Sequence, residues 1–351
     1  MKLLIAWNVW NNYLDTALGS EIVRLENEEK KIFEDLRLIS QGGYPDPPTK
    51  DQAKYLDEHF FVGYPEVPLL QAHSKFKGVF RVIEGIQKAY QYAQAKGYDY
   101  ALVTNADAWC LSLEKLARLL SKPEVRAAAI AMRVGWLTGV QINFGSAVPL
   151  FDDHFIILNI AECKKLAVFD YDHSARFFRP HFGHFGGIHY ILHCLVNQRL
   201  PAGKFHIYSD LSDTINHYGD WMGWNLLPWQ YQLGTSFLHA NCAQVPSLNI
   251  LRAAFLDDLN FTRYPLVAKY CQEFACSKKL FRRRHGVLVY KKPFKRAGKE
   301  FIYWNGFRFF LTWQRRKYKK FYRALPQDQV YKKTLTYFDT YKHIKTYRLT
   351  Q

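Results

Sequence analysis

The chain has 351 residues, 48% of them hydrophobic and 17% aromatic, enough apolar material for a sizeable core, which excludes general disorder and collagen-, mucin- or repeat-like architectures. Its net charge of +17 sits at one end: residues 278–351 carry 22 Lys and Arg against 3 Asp and Glu, a balance of +19, and the difference leaves −2 for residues 1–277. The six cysteines form no Cys-x-x-Cys pair, so the sequence implies no zinc framework and the thiols read as small buried hydrophobes.

Lys2 to Trp7 is a short apolar run that reads as the first strand, with Asn8, Trp10, Asn11 and Asn12 after it. Leu36 to Ser40 reads as a second strand, stopped by the turn signal Gln41-Gly42-Gly43-Tyr44-Pro45, and Phe60 to Gly63 as a short third. From Phe76 to Ala95 the apolar residues Val79, Val82, Ile83, Ile86, Ala89, Tyr90 and Ala93 recur at three- and four-residue spacing, the pattern of an amphipathic helix. Lys96-Gly97 ends it, with Gly97 as a left-handed cap. Ala101 to Thr104 is a buried strand that runs into Asn105-Ala106-Asp107. Helix, glycine stop, strand and polar turn make half a βαβ unit, and ligands of open α/β sheets sit beyond such strand ends.

The apolar stretch from Ala127 to Leu150 is interrupted by Arg133, Gln141 and Asn143, which makes it a buried strand pair rather than a membrane span. The acid pair Asp152-Asp153 reads as turn residues leading into the apolar strand Phe155 to Asn159. His189 and His193 stand at helical spacing without an intervening carboxylate, so a zinc-protease reading finds no support. His239 closes the apolar run Thr235-Ser236-Phe237-Leu238.

The strand ending in Asn105-Ala106-Asp107 resembles the GT-A type of nucleotide-sugar glycosyltransferase, in which an Asp-x-Asp signature holds a divalent metal against the donor diphosphate. The resemblance covers mainly residues 1–110 and departs from the pattern where Asn105 replaces the first Asp, which removes one charge from the site. It implies an α/β fold with a GT-A-like mixed sheet and flanking helices. Residues 1–277 would be the catalytic domain, with a nucleotide-sugar half at 1–110 and an acceptor half at 111–277. It further implies transfer of a sugar from a nucleotide-diphosphate donor to a polysaccharide or lipid-linked glycan. Asp107 and Asn105 would hold Mn²⁺ or Mg²⁺, hard cations that take oxygen ligands, and His239 stands where some such enzymes complete the metal shell. Asn8, Lys75, Arg81, Asn105 and Asp107 are the expected donor contacts, Lys75 and Arg81 because basic residues opening a helix favour phosphate. Capping and turn roles fit Asn8 and the Asn105-Asp107 turn as well.

An inverting transferase needs a base within hydrogen-bond reach of the attacking hydroxyl. The sequence has no glutamate between Glu162 and Glu273, so a carboxylate base in that interval is an aspartate. Asp210 and Asp213 are the first candidates and Asp153 is the third, while His184 or His189, or a retaining reaction that needs no such base, remain open.

The last segment interleaves its charge with aromatics, as in Phe307-Arg308-Phe309-Phe310 and Arg315-Arg316-Lys317-Tyr318-Lys319-Lys320-Phe321-Tyr322. Basic residues and interfacial aromatics suit an anionic membrane surface. We therefore expect residues 278–351 to form a mostly helical extension that rests on the cytoplasmic face of a membrane, and the short amino-terminal apolar run does not read as a signal peptide. Two alternatives stand beside the enzyme: a nucleic-acid-binding protein acting through this basic region, for which no specific motif is present, and a non-catalytic scaffold of the same fold.

Overall fold

A computed structural model of the chain describes residues 1–9, 13–42, 47–61, 74–137, 148–169, 200–201, 203–207, 237–239, 256, 260–273, 281–284 and 287–290. Its first strand, β1 (Lys2–Val9), lies inside the sheet and is apolar on both faces: Leu4 and Ala6 join one core cluster, Leu3, Ile5 and Trp7 the other. Such continuous apolar runs belong to strands covered on both sides. β2 (Asp35–Gly42) and β4 (Tyr100–Asn105) flank β1 in parallel, and the short β3 (Glu58–Phe61) lies beyond β2. On the other side β7 (Val148–Asn159) runs antiparallel to β4, β6 (Ile130–Leu137) antiparallel to β7, and β8 (Phe205–Ile207) parallel to β6. The result is a seven-stranded mixed sheet of order β3-β2-β1-β4-β7-β6-β8.

From β1 the chain steps outward to β2 and β3, then returns to the far side of β1 as β4. The helix after β1, α1 (Leu14–Lys30), packs on one face, where its Val23 joins the cluster of Leu3, Ile5 and Trp7. A single turn, α2 (Lys50–Ala53), precedes β3. The helix before β4, α3 (Ser74–Lys96), packs on the opposite face, its Val82, Ile83, Ile86, Ala89, Tyr90 and Ala93 meeting Leu4, Ala6, Ile39, Ala101 and Val103. The helical spacing read from the sequence is thus the buried stripe of α3, and Gly97 ends that helix at φ 72°. Because the chain leads from β1 to β2 and β3 on one side and from β4 to β6 and β7 on the other, the junction of β1 and β4 is a topological switch point, where ligands of open α/β sheets bind beyond the carboxyl ends of the strands.

β5 (Ala108–Cys110) follows the Asn105-Asp107 turn, and α4 (Leu113–Leu120) lies on the α1 face with Leu113, Leu116, Leu119 and Leu120 buried. α5 (Pro123–Ala127) and α6 (Ile160–Lys165) bracket the β6–β7 pair. A late helix, α7 (Pro265–Glu273), contributes buried Val267, Tyr270 and Cys271. Among the described residues no helix is long and apolar enough to cross a membrane; of the stretch from Ala127 to Leu150, 130–137 are β6 and 148–150 begin β7, and residues 138–147 lie outside the described residues.

Three local expectations change. Gln41 and Gly42 belong to β2 rather than to a turn, since Gly42, opposite Val9, has no Cβ to strike the Val9 carbonyl oxygen, which would lie 2.5 Å away. Asp152 and Asp153 lie inside β7, where its pairing with β6 shifts: Met132 pairs with Ile156 and Val134 with Phe151, so the ladder absorbs extra β7 residues as a bulge. The described part of the carboxyl-terminal segment is a two-stranded antiparallel ribbon, β10 (Phe281–Arg284) with β11 (Val287–Tyr290); the helical expectation for the rest falls outside the described residues.

Candidate active site

The switch point is lined by amides. Asn8, near the end of β1, lies in register with both Gln41 of β2 and Asn105 of β4. Strand side chains alternate between faces, so Asn8 follows Leu4 and Ala6, and Asn105 follows Ala101 and Val103, onto the α3 face. The three residues are only 4%, 1% and 6% exposed in the order Asn8, Gln41, Asn105. Gln41 Nε2 donates to Asn8 Oδ1 at 2.9 Å and to the Gly85 carbonyl of α3 at 2.7 Å. Gly85 makes this possible, because a Cβ there would stand only 2.1 Å from the Asn8 side-chain oxygen. Among the described residues, Asn8 Nδ2, Gln41 Oε1 and Asn105 Oδ1 are buried and have no hydrogen-bond partner. Such atoms each cost about 1–3 kcal/mol when left dry, which marks the row as more than packing.

The turn that follows β4 is held from several sides. The Ala106 N–H donates to the Asn8 carbonyl at 2.9 Å, and the Thr104 hydroxyl to the Ala108 carbonyl at 3.3 Å. Trp109, fully buried, donates its indole N–H to the carbonyls of Asp15, at 2.8 Å, and Ala106, at 3.2 Å. Gly19 of α1 leaves room for that ring, since a Cβ there would stand 2.6 Å from Trp109 Cδ1. Asp107 is therefore presented by a braced turn at the carboxyl end of β4, partly open to solvent.

β9 (Phe237–His239) pairs with β5 in antiparallel register, and His239 falls opposite Ala108, the residue next to Asp107. Residues more than a hundred positions apart in sequence are thus neighbours at the switch point. Lys75 and Arg81 lie in the first turns of α3, ahead of Gly85, on the stretch that leads to the carboxyl ends of the strands. Asp153 lies in β7, two residues before Phe155, which pairs with Thr104; it stands toward the same end of the sheet as Asn105. Asp210 and Asp213, like His184 and His189, lie outside the described residues. Among the described residues no cluster of three or more His, Cys, Asp or Glu side chains forms a ready-made metal cage.

A second polar cluster lies at the β2–β3 edge of the sheet. His59 of β3 bonds through Nε2 to the Tyr13 hydroxyl at 3.1 Å and through Nδ1 to the Ser40 hydroxyl at 2.8 Å, tying the start of α1 to β2. Burial holds its pKa below the ordinary 6.5. Sequence reasoning missed both His59 and Gln41, and neither has a local signal.

No family model and no curated protein matches the sequence. Solved structures do. The chain is 13% identical to the glycosyltransferase GlyE of Streptococcus pneumoniae, with a TM-score of 0.41 over 78% of this chain and 64% of that one. It is 12% identical to the galactosyltransferase LgtC, solved with donor and acceptor sugar analogues, at a TM-score of 0.40 over 85% of this chain and 99% of that one. Mouse xyloside xylosyltransferase 1 matches at 13% identity and a TM-score of 0.37, over 69% of this chain and 97% of that one. The case for a reaction rests on the residues themselves.

Proposed function

We propose that the chain is a GT-A-type glycosyltransferase that takes a nucleotide-diphosphate sugar at the β1/β4 switch point. The observation that supports this reading is the β5–β9 register, in which the His239 backbone pairs with Ala108, the residue that follows Asp107 on the braced turn. In this reading the Asp107 carboxylate, the His239 imidazole and Asn105 Oδ1, which has no partner among the described residues, would supply a donor set that suits Mn²⁺ or Mg²⁺, with phosphate oxygens and water supplying the rest. When bound, the cation acts as a Lewis acid on the departing diphosphate. Lys75 and Arg81 add positive charge near the phosphates, and Asn8 is the contact to the nucleoside. Asp210, Asp213 or Asp153 takes the proton from the acceptor hydroxyl if configuration inverts.

The acceptor in this reading is a polysaccharide or lipid-linked glycan. Residues 278–351 carry +19 and abundant aromatics, which supports a resting place on an anionic membrane surface beside an anchored acceptor.

The test is calorimetric titration of the protein with UDP and GDP, each with and without Mn²⁺, repeated on Asp107→Ala. Metal-dependent binding lost in the variant is the expected result. Metal-independent binding that ignores the substitution would return Asp107 to a turn role, and binding to neither nucleotide would defeat the reading.

A further inference from the structure

The hydrogen-bond polarity of the amide row is fixed from one end. The Gly85 carbonyl can only accept, so the Gln41 side chain must turn its nitrogen toward it. That NH₂ group has two hydrogens, and the second goes to Asn8 Oδ1. Asn8 consequently spends its oxygen on Gln41 and keeps its NH₂ group uncommitted, and among the described residues Asn8 Nδ2 is buried and has no partner. Were Gln41 absent, the Asn8 carboxamide could rotate and offer either an oxygen or a nitrogen.

We infer that Gln41 is a positioning residue that fixes the sense of the Asn8 amide, leaving its nitrogen as the uncommitted group, so that Asn8 recognises a hydrogen-bond acceptor on the donor nucleotide, a carbonyl oxygen of the base. The inference rests on the donor-site reading above and adds the chemical sense of the contact. Both side chains are more than nine-tenths buried, which removes competing water and makes the sense of the amide consequential. It excludes nucleotides whose base presents only donors at this position. It also assigns a role to Gly85: the glycine is what lets the α3 backbone come close enough to dictate the orientation.

The experiment compares wild type, Gln41→Glu and Gln41→Met for binding of UDP and of ADP, whose base has no carbonyl. In Gln41→Glu the new carboxylate cannot donate to Asn8 Oδ1, so the Asn8 amide turns over to give its own N–H to that carboxylate and faces the ligand with oxygen. UDP affinity should fall by about tenfold or more, while ADP, whose base carries no carbonyl oxygen for Asn8 to meet, changes little. Gln41→Met, which frees Asn8 without reversing it, should lose only a few-fold for UDP. Melting temperatures are recorded in parallel. An equal loss for UDP and ADP would place the contact on the ribose and overturn the base assignment. Lower melting temperatures with UDP affinity unchanged would make Gln41 structural and overturn the inference. Absence of nucleotide binding by the wild type would instead defeat the donor-site reading, and this inference with it.

Discussion

Glu21, buried at zero exposure on α1, caps a helix 245 residues later in the chain: its two carboxylate oxygens accept the backbone N–H groups of Leu266 and Val267, each at 2.8 Å. Those N–H groups open α7 and have no partner within it. A carboxylate there satisfies both and meets the positive end of the helix dipole. One turn further along α1, Glu26 accepts from Leu113 N at 2.9 Å, at the start of α4. Helix α1 thus fastens two others by their amino termini.

Replacing Glu21 with Ala strands two buried donors, and we expect a loss of about 2–4 kcal/mol in urea unfolding. Glu21→Gln retains the shape but opposes an amide NH₂ to one of the N–H groups, so it should be destabilising too, by less. Hydrogen exchange locates the effect: the amides of α7 should lose protection before those of β1. Uniform loss across the sheet would contradict the latch.

The brace under Asp107 predicts a split between stability and binding. Trp109→Phe keeps an aromatic ring but removes the indole donor to Asp15 and Ala106, costing about 1–2 kcal/mol. Because the lost bonds hold the turn, metal-dependent nucleotide affinity should weaken as well. Gly19→Ala forces a methyl against the Trp109 ring and should cost about 1–3 kcal/mol by overpacking. If Trp109→Phe bound nucleotide like wild type, Asp107 would not depend on the brace.

Two acid-sensitive windows follow from the β2–β3 edge. The Tyr92 hydroxyl, donating at 2.7 Å, and the Arg37 guanidinium hold the Glu58 carboxyl below the usual 4.5. A depressed carboxylate stabilises the fold above its unfolded value and loses that contribution as pH falls through the folded one. His59 is depressed by burial from 6.5, so the unfolded chain takes its proton first and stability begins to fall below that pH. Urea midpoints should therefore decline below pH 6.5 and again below pH 4.5. Glu58→Gln should flatten the lower decline and His59→Asn the upper. An unchanged profile in either variant would remove that residue from the account.

These relationships explain what the sequence could disclose. Helix α3 was legible because one face is uniformly apolar and Gly97 stops it. Helix α1 was not, because Asp15, Thr16, Ser20, Glu21 and Glu26 are all buried in it, and the partners that make Glu21 and Glu26 tolerable lie far along the chain. The Asn105-Asp107 turn was legible from the strand before it. Gln41 was hidden: its neighbours Gly42 and Gly43 signal a turn, whereas the amide pairs with Asn8 across strands 33 residues apart. The apolar run that ends at His239 was visible in the sequence, but its pairing as β9 with β5, which sets His239 opposite Ala108, was not, because that register joins segments more than a hundred residues apart.

That register gives a sharper test of the metal proposal than loss of activity. If Asp107 and His239 share a cation, each single replacement, Asp107→Asn or His239→Ala, should weaken Mn²⁺ affinity by about tenfold or more, and the double replacement should cost much less than the sum, since neighbours in one coordination shell are not additive. Manganese relaxation or electron paramagnetic resonance reads this directly in the presence of UDP. Strict additivity would mean that the two residues act at separate places.

The basic segment makes the last prediction. Cationic side chains near anionic lipid contribute about 1 kcal/mol each and lose it within a Debye length of about 10 Å at moderate salt. Vesicles containing phosphatidylserine should therefore retain the protein at low salt and release it as salt rises, while neutral vesicles should not retain it. Substituting Gln for Arg282, Arg283 and Arg284, in β10, should weaken retention without altering nucleotide binding, because the switch-point site uses none of them. Retention on neutral vesicles would shift the interaction to the aromatics. Competition by single-stranded RNA with equal salt dependence would instead favour a polyanion-binding role for residues 278–351, since stacking on Trp and Tyr serves bases as readily as it serves the headgroup region.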